Sequence, residues 1–295
     1  MRRYIAIPGT NSLADEFVEI GTFPDGETAI TTPDIGGRDD IVLVGCCPDA
    51  RTSETFLATA LEIAAQGPHS LTVVNTYFRH ARCDRKFGRQ AVMAKFQARM
   101  WSSLGVAFPG TRLIFLDLHN DLVLSYFEGP VRPSNLSALP LLDRKLHSLW
   151  DLEDAVYATV DYGGVHEARR LAEKRGCGLA HIDKKRISGS ETEIRAVHGA
   201  AVDGRDVVIF DDMISTGGSL IKAAEAYKNR GARRIFAVAA HGLFVDNAVI
   251  RLRNSEIEAV LVTDSHPNAS RAFQQCDREF IHVYQLRPEQ LAPAA

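Results

Sequence analysis

The chain has 295 residues, of which 45% are hydrophobic and 24% are charged, proportions that are ordinary for a globular protein in water. A net charge of −3 argues against a broad basic surface for nucleic acid, and no apolar run approaches the roughly 20 residues that cross a bilayer. The N-terminus lacks the long apolar core of a signal peptide. The five cysteines are odd in number and include no Cys-x-x-Cys pair, which argues against a disulfide framework and a zinc site. We therefore expect a cytoplasmic protein of two domains, or one large one, with no nucleic-acid or membrane partner.

Short apolar segments alternate along the chain with longer amphipathic ones. Strands are predicted at 40–44, 71–76, 112–116, 155–160, 206–210, 235–239 and 259–262, and a first strand near the N-terminus. Helices are predicted within 52–66, 89–104, 164–175 and 219–229. Strands that alternate with helices of this length form βαβ units, so the pattern predicts an α/β fold with mainly parallel sheets flanked by helices.

The strand pattern occurs twice. Residues 40–44 match 206–210, residues 67–74 match 231–238, and residues 112–119 resemble 258–266, in the same order. Any two βαβ units share some of this likeness, but an ordered series of matches favours two similar α/β halves. The predicted domains are 1–145 and 146–295, with the seam between residues 141 and 153.

Three segments after predicted strands carry charge or metal-binding groups. The run Arg79-His80-Ala81-Arg82-Cys83-Asp84-Arg85-Lys86 could hold a polyphosphate or could be a solvated charge run. His119, in Asp117-Leu118-His119, could contact Mg²⁺-bound phosphates, or it could be structural. Asp161 precedes two glycines and could be a Mg²⁺ ligand or part of a plain turn.

A polar stretch with cations at its start follows in the second half. Lys184-Lys185-Arg186 leads into Ser188-Gly189-Ser190-Glu191-Thr192-Glu193, which is typical of a mobile loop. Such a loop could close over phosphates and stabilise charge in a transition state, or it could simply be exposed.

The most specific segment is Asp211-Asp212-Met213-Ile214-Ser215-Thr216-Gly217-Gly218-Ser219. It lies between a strand predicted to end at Phe210 and a helix predicted to begin near Ser219. Glycines expose backbone N–H groups to an anion, the helix N-terminus adds its dipole, and the hydroxyl side chains can donate to phosphate. The two aspartates suit sugar hydroxyls or a metal ion instead. A capped turn is the alternative, but the combination favours a phosphorylated pentose. The matching segment of the first half, 45–51, lacks this chemistry.

The loop resembles the ribose-phosphate motif shared by type I phosphoribosyltransferases and phosphoribosyl pyrophosphate (PRPP) synthases. From about residue 23 to residue 266 the chain resembles the second family, the ribose-phosphate diphosphokinases. The matching segments are Phe23-Pro24-Asp25-Gly26-Glu27, the basic run from Tyr77 to Lys86, Asp117-Leu118-His119, Asp161-Tyr162-Gly163-Gly164, Ile182-Asp183-Lys184-Lys185-Arg186, the glycine loop and His241-Gly242-Leu243-Phe244.

The resemblance implies two phosphoribosyltransferase-like domains and transfer of the pyrophosphoryl group of Mg-ATP to C1 of ribose 5-phosphate. It implies ATP binding by Phe23, Asp25, Glu27, Arg82, Asp84, Arg85 and His119. It implies ribose 5-phosphate binding by Asp211, Asp212, Ser215, Thr216, Gly217, Gly218 and Ser219. It implies Mg²⁺ as cofactor on His119 and Asp161, and transition-state stabilisation by Lys184 and Arg186. A homo-oligomer, dimer or hexamer, is also implied, with Phe23 and its neighbours reaching adenine across a subunit contact.

Some residues depart from the family pattern. Ser215 stands where the synthases usually carry Asp, Cys83 replaces the usual Gln, and the segment 86–89 is one residue short. The alternatives are therefore a diphosphokinase for another sugar phosphate, a non-catalytic regulatory protein associated with a PRPP synthase, and a phosphoribosyltransferase. The retained Lys184, Arg186 and His119 argue against a regulator, and the first-half motifs argue against a phosphoribosyltransferase.

Overall fold

The computed structural model of the chain describes residues 1–10, 14–188, 191–275 and 278–292, without the side chains of 184–193 and 275. The chain divides into two compact units. One contains Met1–Ser137, Ser265–Pro267 and Gln285–Ala295, and the other contains Ala138–Asp264 and Asn268–Tyr284. The division into domains 1–145 and 146–295 stays a prediction.

The strands and helices are numbered in chain order. The strands are β1 Arg2–Ala6, β2 Glu16–Phe17, β3 Glu19–Thr22, β4 Thr28–Thr31, β5 Asp40–Gly45, β6 Ser70–Asn75, β7 Arg112–Leu116, β8 Arg132–Leu136, β9 Val156–Thr159, β10 Gly178–Ser188, β11 Glu191–Gly199, β12 Val207–Ile214, β13 Ile235–Gly242, β14 Ala259–Thr263 and β15 Ile281–Tyr284. The helices are α1 Ala50–Ala65, α2 Met93–Ala107, α3 Leu139–Leu149, α4 Val165–Arg175, α5 Gly218–Lys228, α6 Ala248–Arg253, α7 Pro267–Gln275 and α8 Pro288–Leu291, with a 3₁₀ helix at Asp121–Tyr126. Within the described ranges, none of these helices has the length and apolar character needed to cross a bilayer.

The first unit is built on a six-stranded sheet in the order β2-β1-β5-β6-β7-β8, in which every neighbouring pair is parallel. Its core contains Phe56 of α1, Trp101 of α2 and Phe115 of β7, all almost fully buried. Strands β3 and β4 form a separate antiparallel hairpin. Helices α1 and α2 pack on the face of the sheet that carries Ile41 and Leu43. The alternate residues Val42 and Val44 are also buried, and burial of both faces explains why the central strands are continuous apolar runs.

The second unit has a seven-stranded sheet in the order β11-β10-β9-β12-β13-β14-β15. All neighbouring pairs are parallel except β10 and β11. Alternate residues of β12 serve two cores: Val207 and Ile209 pack with α5, whereas Val208 and Phe210 pack with α3 and α4. Burial of both strand faces is what a parallel sheet covered by helices requires.

The two units share one strand order. The series β1-β5-β6-β7-β8 in the first unit corresponds to β9-β12-β13-β14-β15 in the second, and all neighbours in both series are parallel. The α/β fold class and the internal repeat predicted from the sequence are therefore confirmed.

Two predicted boundaries were wrong. The strand predicted to end at Phe210 continues to Ile214, because β13 runs alongside and pairs with Asp211, Met213 and Ile214. Tertiary pairing here outweighs the low strand propensity of aspartate. The polar stretch predicted as a loop is strand backbone up to Ser188 and from Glu191 onward, in an antiparallel pair. Residues 189 and 190 lie outside the described residues.

Candidate active site

The glycine loop of the second unit joins β12 to α5. Gly217 has a φ of 75°, a left-handed conformation that side chains disfavour, and it precedes the first helical residue, Gly218. A Cβ at position 217 would come within 3.0 Å of the Leu252 side chain. The turn therefore needs glycine at position 217 for two separate reasons.

The N-terminus of α5 is open to an anion. No side chain within the described residues caps this helix. The first turn of any helix leaves N–H groups without intrahelical partners, and its partial positive charge attracts anions. Thr216 and Ser219 are exposed beside this turn, and Ser215 is half-buried. Backbone amides and hydroxyls are thus gathered at one point, as the sequence motif predicted.

The corresponding helix of the first unit is closed. The Asp49 carboxylate caps α1 by accepting a hydrogen bond from the backbone N–H of Thr52 at 2.9 Å. The Thr52 hydroxyl donates to the same oxygen at 2.6 Å. These bonds hold the pKa of Asp49 below its usual range. A side-chain anion already lies at the N-terminus of α1, which fits the prediction that only the second copy binds phosphate.

Carboxylates gather at the ends of β9 and β12. Asp211 and Asp212 are half-buried in the last residues of β12, and the Asp212 N–H donates to Asp211 Oδ1 at 3.0 Å. Burial, the Asp212 carboxylate and Asp161 together raise the pKa of Asp211 well above its usual value. Such a concentration of negative charge favours binding of hydroxyl donors or a cation.

Asp161 is exposed at the start of the turn before α4. Its Oδ1 accepts from the Gly163 N–H at 2.9 Å, and its carbonyl accepts from the Thr159 hydroxyl at 2.7 Å. Among the described residues no group of three or more His, Cys, Asp or Glu side chains is arranged to hold a metal ion. A Mg²⁺ ion commonly uses one or two carboxylates together with substrate phosphates and water, so the donors present fit that mode of binding.

Lys184 and Arg186 lie in β10, and their backbone positions pair with Ile194 and Thr192 of β11. Their side chains are outside the described residues. Both residues lie in the part of β10 that extends beyond its pairing with β9, the strand that leads to Asp161. Their catalytic roles stay predictions.

In the first unit the basic segment follows β6. Arg82 and Arg85 are exposed, whereas Asp84 is only 4% exposed and forms an ion pair with Arg85 (Nη2 to Oδ2, 3.2 Å). The Tyr126 hydroxyl donates to the Asp84 carbonyl at 2.6 Å. Asp84 is thus placed to anchor the segment and to orient Arg85. Cys83, next to it, is half-buried.

His119 is exposed three residues after β7, the neighbour of β6. The preceding Asp117 has a φ of 40°, and its carboxylate accepts from the Ser137 hydroxyl at 3.0 Å. The Leu118 N–H donates to Asn135 Oδ1 at 2.9 Å. Because parallel strands end at one edge of a sheet, His119 and the basic segment are brought to the same edge of this unit.

Phe23, Asp25 and Glu27 form the exposed tip of the β3–β4 hairpin. The Phe23 N–H donates to the Glu27 carbonyl at 2.8 Å, and the Glu27 N–H donates to Asp25 Oδ1 at 3.1 Å. Phe23 is 54% exposed. An apolar ring presented on a hairpin tip suits contact with a base or with a second chain.

Arg251 was not predicted. It lies in α6, and its Nη1 donates to the Thr216 carbonyl of the glycine loop at 3.2 Å. It is 35 residues from Thr216 in the sequence. No local pattern could have connected the two.

Comparisons with known proteins identify the family of this chain. A family model described as a phosphoribosyl synthetase-associated domain matches residues 153–291. The ribose-phosphate pyrophosphokinase of Vibrio vulnificus is 38% identical over 253 residues, which are 83% of this chain and 77% of that protein. The enzyme of the same name from Thermotoga maritima is 35% identical over 252 residues, 84% of this chain and 78% of that protein.

A solved structure supports the fold. The phosphoribosylpyrophosphate synthetase of Mycobacterium smegmatis matches 97% of this chain and 94% of that chain with a TM-score of 0.74 and 21% identity. Repeated parallel sheets and an open glycine loop define an α/β enzyme of the phosphoribosyl class. The chain belongs to the ribose-phosphate pyrophosphokinase family, so the resemblance predicted from its sequence is confirmed.

Proposed function

We propose that this enzyme transfers the pyrophosphoryl group of Mg-ATP to C1 of ribose 5-phosphate, giving PRPP and AMP. The observation that carries the proposal is the uncapped glycine loop at the N-terminus of α5, with two aspartates near the end of the strand that precedes it. Family membership supports the same reaction. Magnesium, ATP and the sugar phosphate are proposed as ligands of this chain on these grounds.

The sugar phosphate would be bound from both of its ends. The amides and hydroxyls from Ser215 to Ser219 would hold the 5-phosphate, and the Asp211 and Asp212 carboxylates would accept hydrogen bonds from ring hydroxyls. Each group suits its partner, since a carboxylate repels a phosphate but accepts strongly from a diol. Holding the two ends fixes the position of C1, which lowers the entropic part of the barrier.

ATP would be held by the first unit. Arg82, Arg85 and His119 would contact its phosphates, with Asp84 orienting Arg85 through their ion pair. Phe23, Asp25 and Glu27 of the hairpin tip would contact adenine.

Transfer is an in-line displacement on phosphorus. The C1 hydroxyl oxygen forms a bond to the β-phosphorus and loses its proton, while the bond from the β-phosphorus to the bridging oxygen of AMP breaks. Positioning and charge neutralisation supply most of the rate enhancement in such reactions. Mg²⁺ on Asp161 and on His119 would neutralise phosphate charge, and Lys184 and Arg186 would stabilise the additional charge of the transition state.

The test is a product assay. The protein is incubated with ATP, Mg²⁺ and ribose 5-phosphate, and AMP and PRPP are quantified; equal amounts of both are expected. Absence of AMP with ribose 5-phosphate would exclude the reaction. A panel of other pentose and hexose phosphates tests a different sugar specificity, for which Ser215 in the loop is the motivating residue.

A regulatory role gives a different pattern. A non-catalytic protein would yield no AMP with any sugar phosphate and would instead change the rate of an active synthase on mixing. A phosphoribosyltransferase would consume PRPP with a nucleobase rather than produce it. The same product analysis therefore separates the three functions.

A further inference from the structure

Arg251 lies against the glycine loop because α6 packs on it. Its neighbour Leu252 is fully buried, and a Cβ at Gly217 would come within 3.0 Å of the Leu252 side chain. Arg251 Nη1 donates to the Thr216 carbonyl at 3.2 Å, and Nη2 lies 3.8 Å from the position of a Cβ at Gly218. The guanidinium therefore lies beside the first turn of α5.

This position is electrostatically unfavourable in the absence of an anion. The N-terminus of a helix carries a partial positive charge, so cations stabilise the last turn of a helix and destabilise its first. Lys228, in the last turn of α5, follows this rule. Arg251 follows it within its own helix, as a cation in the last turn of α6, but opposes it at the N-terminus of α5. In the described part of the chain no side chain caps the N-terminus of α5.

We propose that Arg251 binds the phosphate of the sugar phosphate together with the backbone amides at the start of α5. A guanidinium presents its N–H donors as a planar fork that matches two phosphate oxygens, and it stays charged at all relevant pH values. The inference rests on the proposed function and adds to it a side-chain cation that is 33 residues beyond Gly218 and outside the sequence motif.

The role is recognition rather than catalysis. The 5-phosphate is remote from C1, so its contacts are made equally in the bound substrate and in the transition state. Such uniform binding affects KM for the sugar phosphate more than kcat. Arg251 would thereby select a phosphorylated sugar over a neutral one.

The experiment compares Arg251→Gln and Arg251→Lys with the wild-type enzyme. Arg253→Gln is the matched control, because it removes the same charge from the same exposed helix. For Arg251→Gln we expect KM for ribose 5-phosphate to rise at least about tenfold, as for loss of a hydrogen bond to a charged group, with KM for ATP unchanged. KM of Arg251→Lys for ribose 5-phosphate should lie between the values of the wild type and Arg251→Gln, and KM of Arg253→Gln should match that of the wild type.

Thermal unfolding distinguishes phosphate binding from a merely structural role. Without phosphate, Arg251→Gln should melt no lower than the wild type, because a cation has been removed from the positive end of α5. Added inorganic phosphate should raise the Tm of the wild type more than that of the variant. A variant that melts lower without phosphate and gains equally from it would overturn the proposal, as would a KM for ribose 5-phosphate within twofold of the wild-type value.

Calorimetry with inorganic phosphate separates this inference from the proposed function. If the wild type forms no PRPP yet binds inorganic phosphate more tightly than Arg251→Gln does, the anion site stands and the proposed reaction fails. If wild type and variant bind inorganic phosphate equally, or neither binds it, the role of Arg251 is refuted.

Discussion

Gly217 illustrates how one residue couples stability to binding. Its left-handed backbone and the nearby Leu252 side chain each exclude a Cβ. The conformation also directs the backbone N–H groups of the loop. The same residue therefore affects both the packing of α6 and the shape of the proposed phosphate site.

We expect Gly217→Ala to reduce the free energy of unfolding by about 2–4 kcal/mol. This is the sum of the cost of a Cβ on a left-handed backbone and the cost of overpacking against Leu252. Ribose 5-phosphate binding should weaken at least about tenfold, since charge-assisted hydrogen bonds in the loop would be misaligned. Urea denaturation and calorimetry measure the two effects.

Gly204→Ala is the control for this change. Gly204 has a similar φ of 69°, but no atom lies within 4 Å of its added Cβ. This substitution should cost only about 1 kcal/mol and leave ribose 5-phosphate binding unchanged. Equal effects of the two substitutions would show that the contact with Leu252 is unimportant.

Asp206 provides the clearest pH-dependent interaction. The residue is 1% exposed, and its carboxylate accepts from Arg233 (Nε and Nη2, both 2.8 Å) and from Arg234 (Nη2, 2.6 Å). Burial alone would raise the pKa of Asp206, but the two guanidinium groups outweigh it and hold the pKa well below its ordinary value. Its stabilising contribution is thus present above the unfolded pKa of about 3.9 and is lost as pH falls towards the folded value.

We expect Asp206→Asn to reduce the free energy of unfolding by about 3 kcal/mol at pH 7, because two arginines lose a buried carboxylate partner. The difference in free energy of unfolding between the wild type and Asp206→Asn should be constant from about pH 7 to pH 5 and should become smaller below about pH 4. Urea denaturation at these pH values measures it. Asp154→Asn, which breaks the ion pair of a 77% exposed carboxylate with Arg205, should cost less than about 1 kcal/mol at every pH. A difference that widens on acidification would contradict this account.

At the scale of elements, the sequence predicts strands with two buried faces best. The prediction at 112–116 coincides with β7, and β5, β6, β13 and β14 are each found within three residues of their predicted ends. Burial on both faces produces continuous apolar runs that are visible without any knowledge of neighbours.

Edge strands and polar strands were missed because they form by pairing with a neighbouring strand, and the local sequence does not show this pairing. β8 at Arg132–Leu136 is a polar edge strand beside β7, and β10 extends through Lys184 and Arg186 only by pairing with β11. The site shows the same limit. The glycine loop is a contiguous motif and was predicted, whereas Arg251 reaches it from α6 through tertiary packing alone.

The β10–β11 pair is predicted to act in the transition state. We expect Lys184→Ala to lower kcat by at least about 100-fold, as for removal of one preorganised charge, with KM for ribose 5-phosphate changed only a few-fold. Steady-state kinetics with each substrate varied measure this. Lys185→Ala removes the same charge one residue along the same strand and should keep most of the turnover. An unchanged kcat in Lys184→Ala would refute the role.

At the scale of the whole molecule, the proposed homo-oligomer can be tested through the exposed hairpin tip. If Phe23 contacts ATP bound by a neighbouring subunit, then Phe23→Ala and Lys184→Ala subunits are each inactive alone for different reasons. A mixed assembly contains sites with Lys184 from one chain and Phe23 from the other. Mixing the two variants should therefore restore activity.

The measurement is PRPP formation after the variants are mixed and allowed to exchange subunits, with light scattering to give the mass in multiples of 32.4 kDa. Each variant mixed with itself is the control. Activity no greater than the sum of the separate variants would show that each active site takes Phe23 and Lys184 from a single subunit, or that no assembly forms.

The capped α1 and the open α5 give the two halves of this repeated fold different dependences on their surroundings. The first half carries a permanent counter-charge at the N-terminus of α1, supplied by Asp49, so this helix needs no bound anion. In the proposed function, the N-terminus of α5 obtains its counter-charge from a bound phosphate ester, and ligands that bind the folded state alone stabilise it in proportion to the logarithm of their concentration. The supply of sugar phosphate in solution would thus regulate how firmly the second half is folded, through a helix whose counterpart in the first half needs no such ligand.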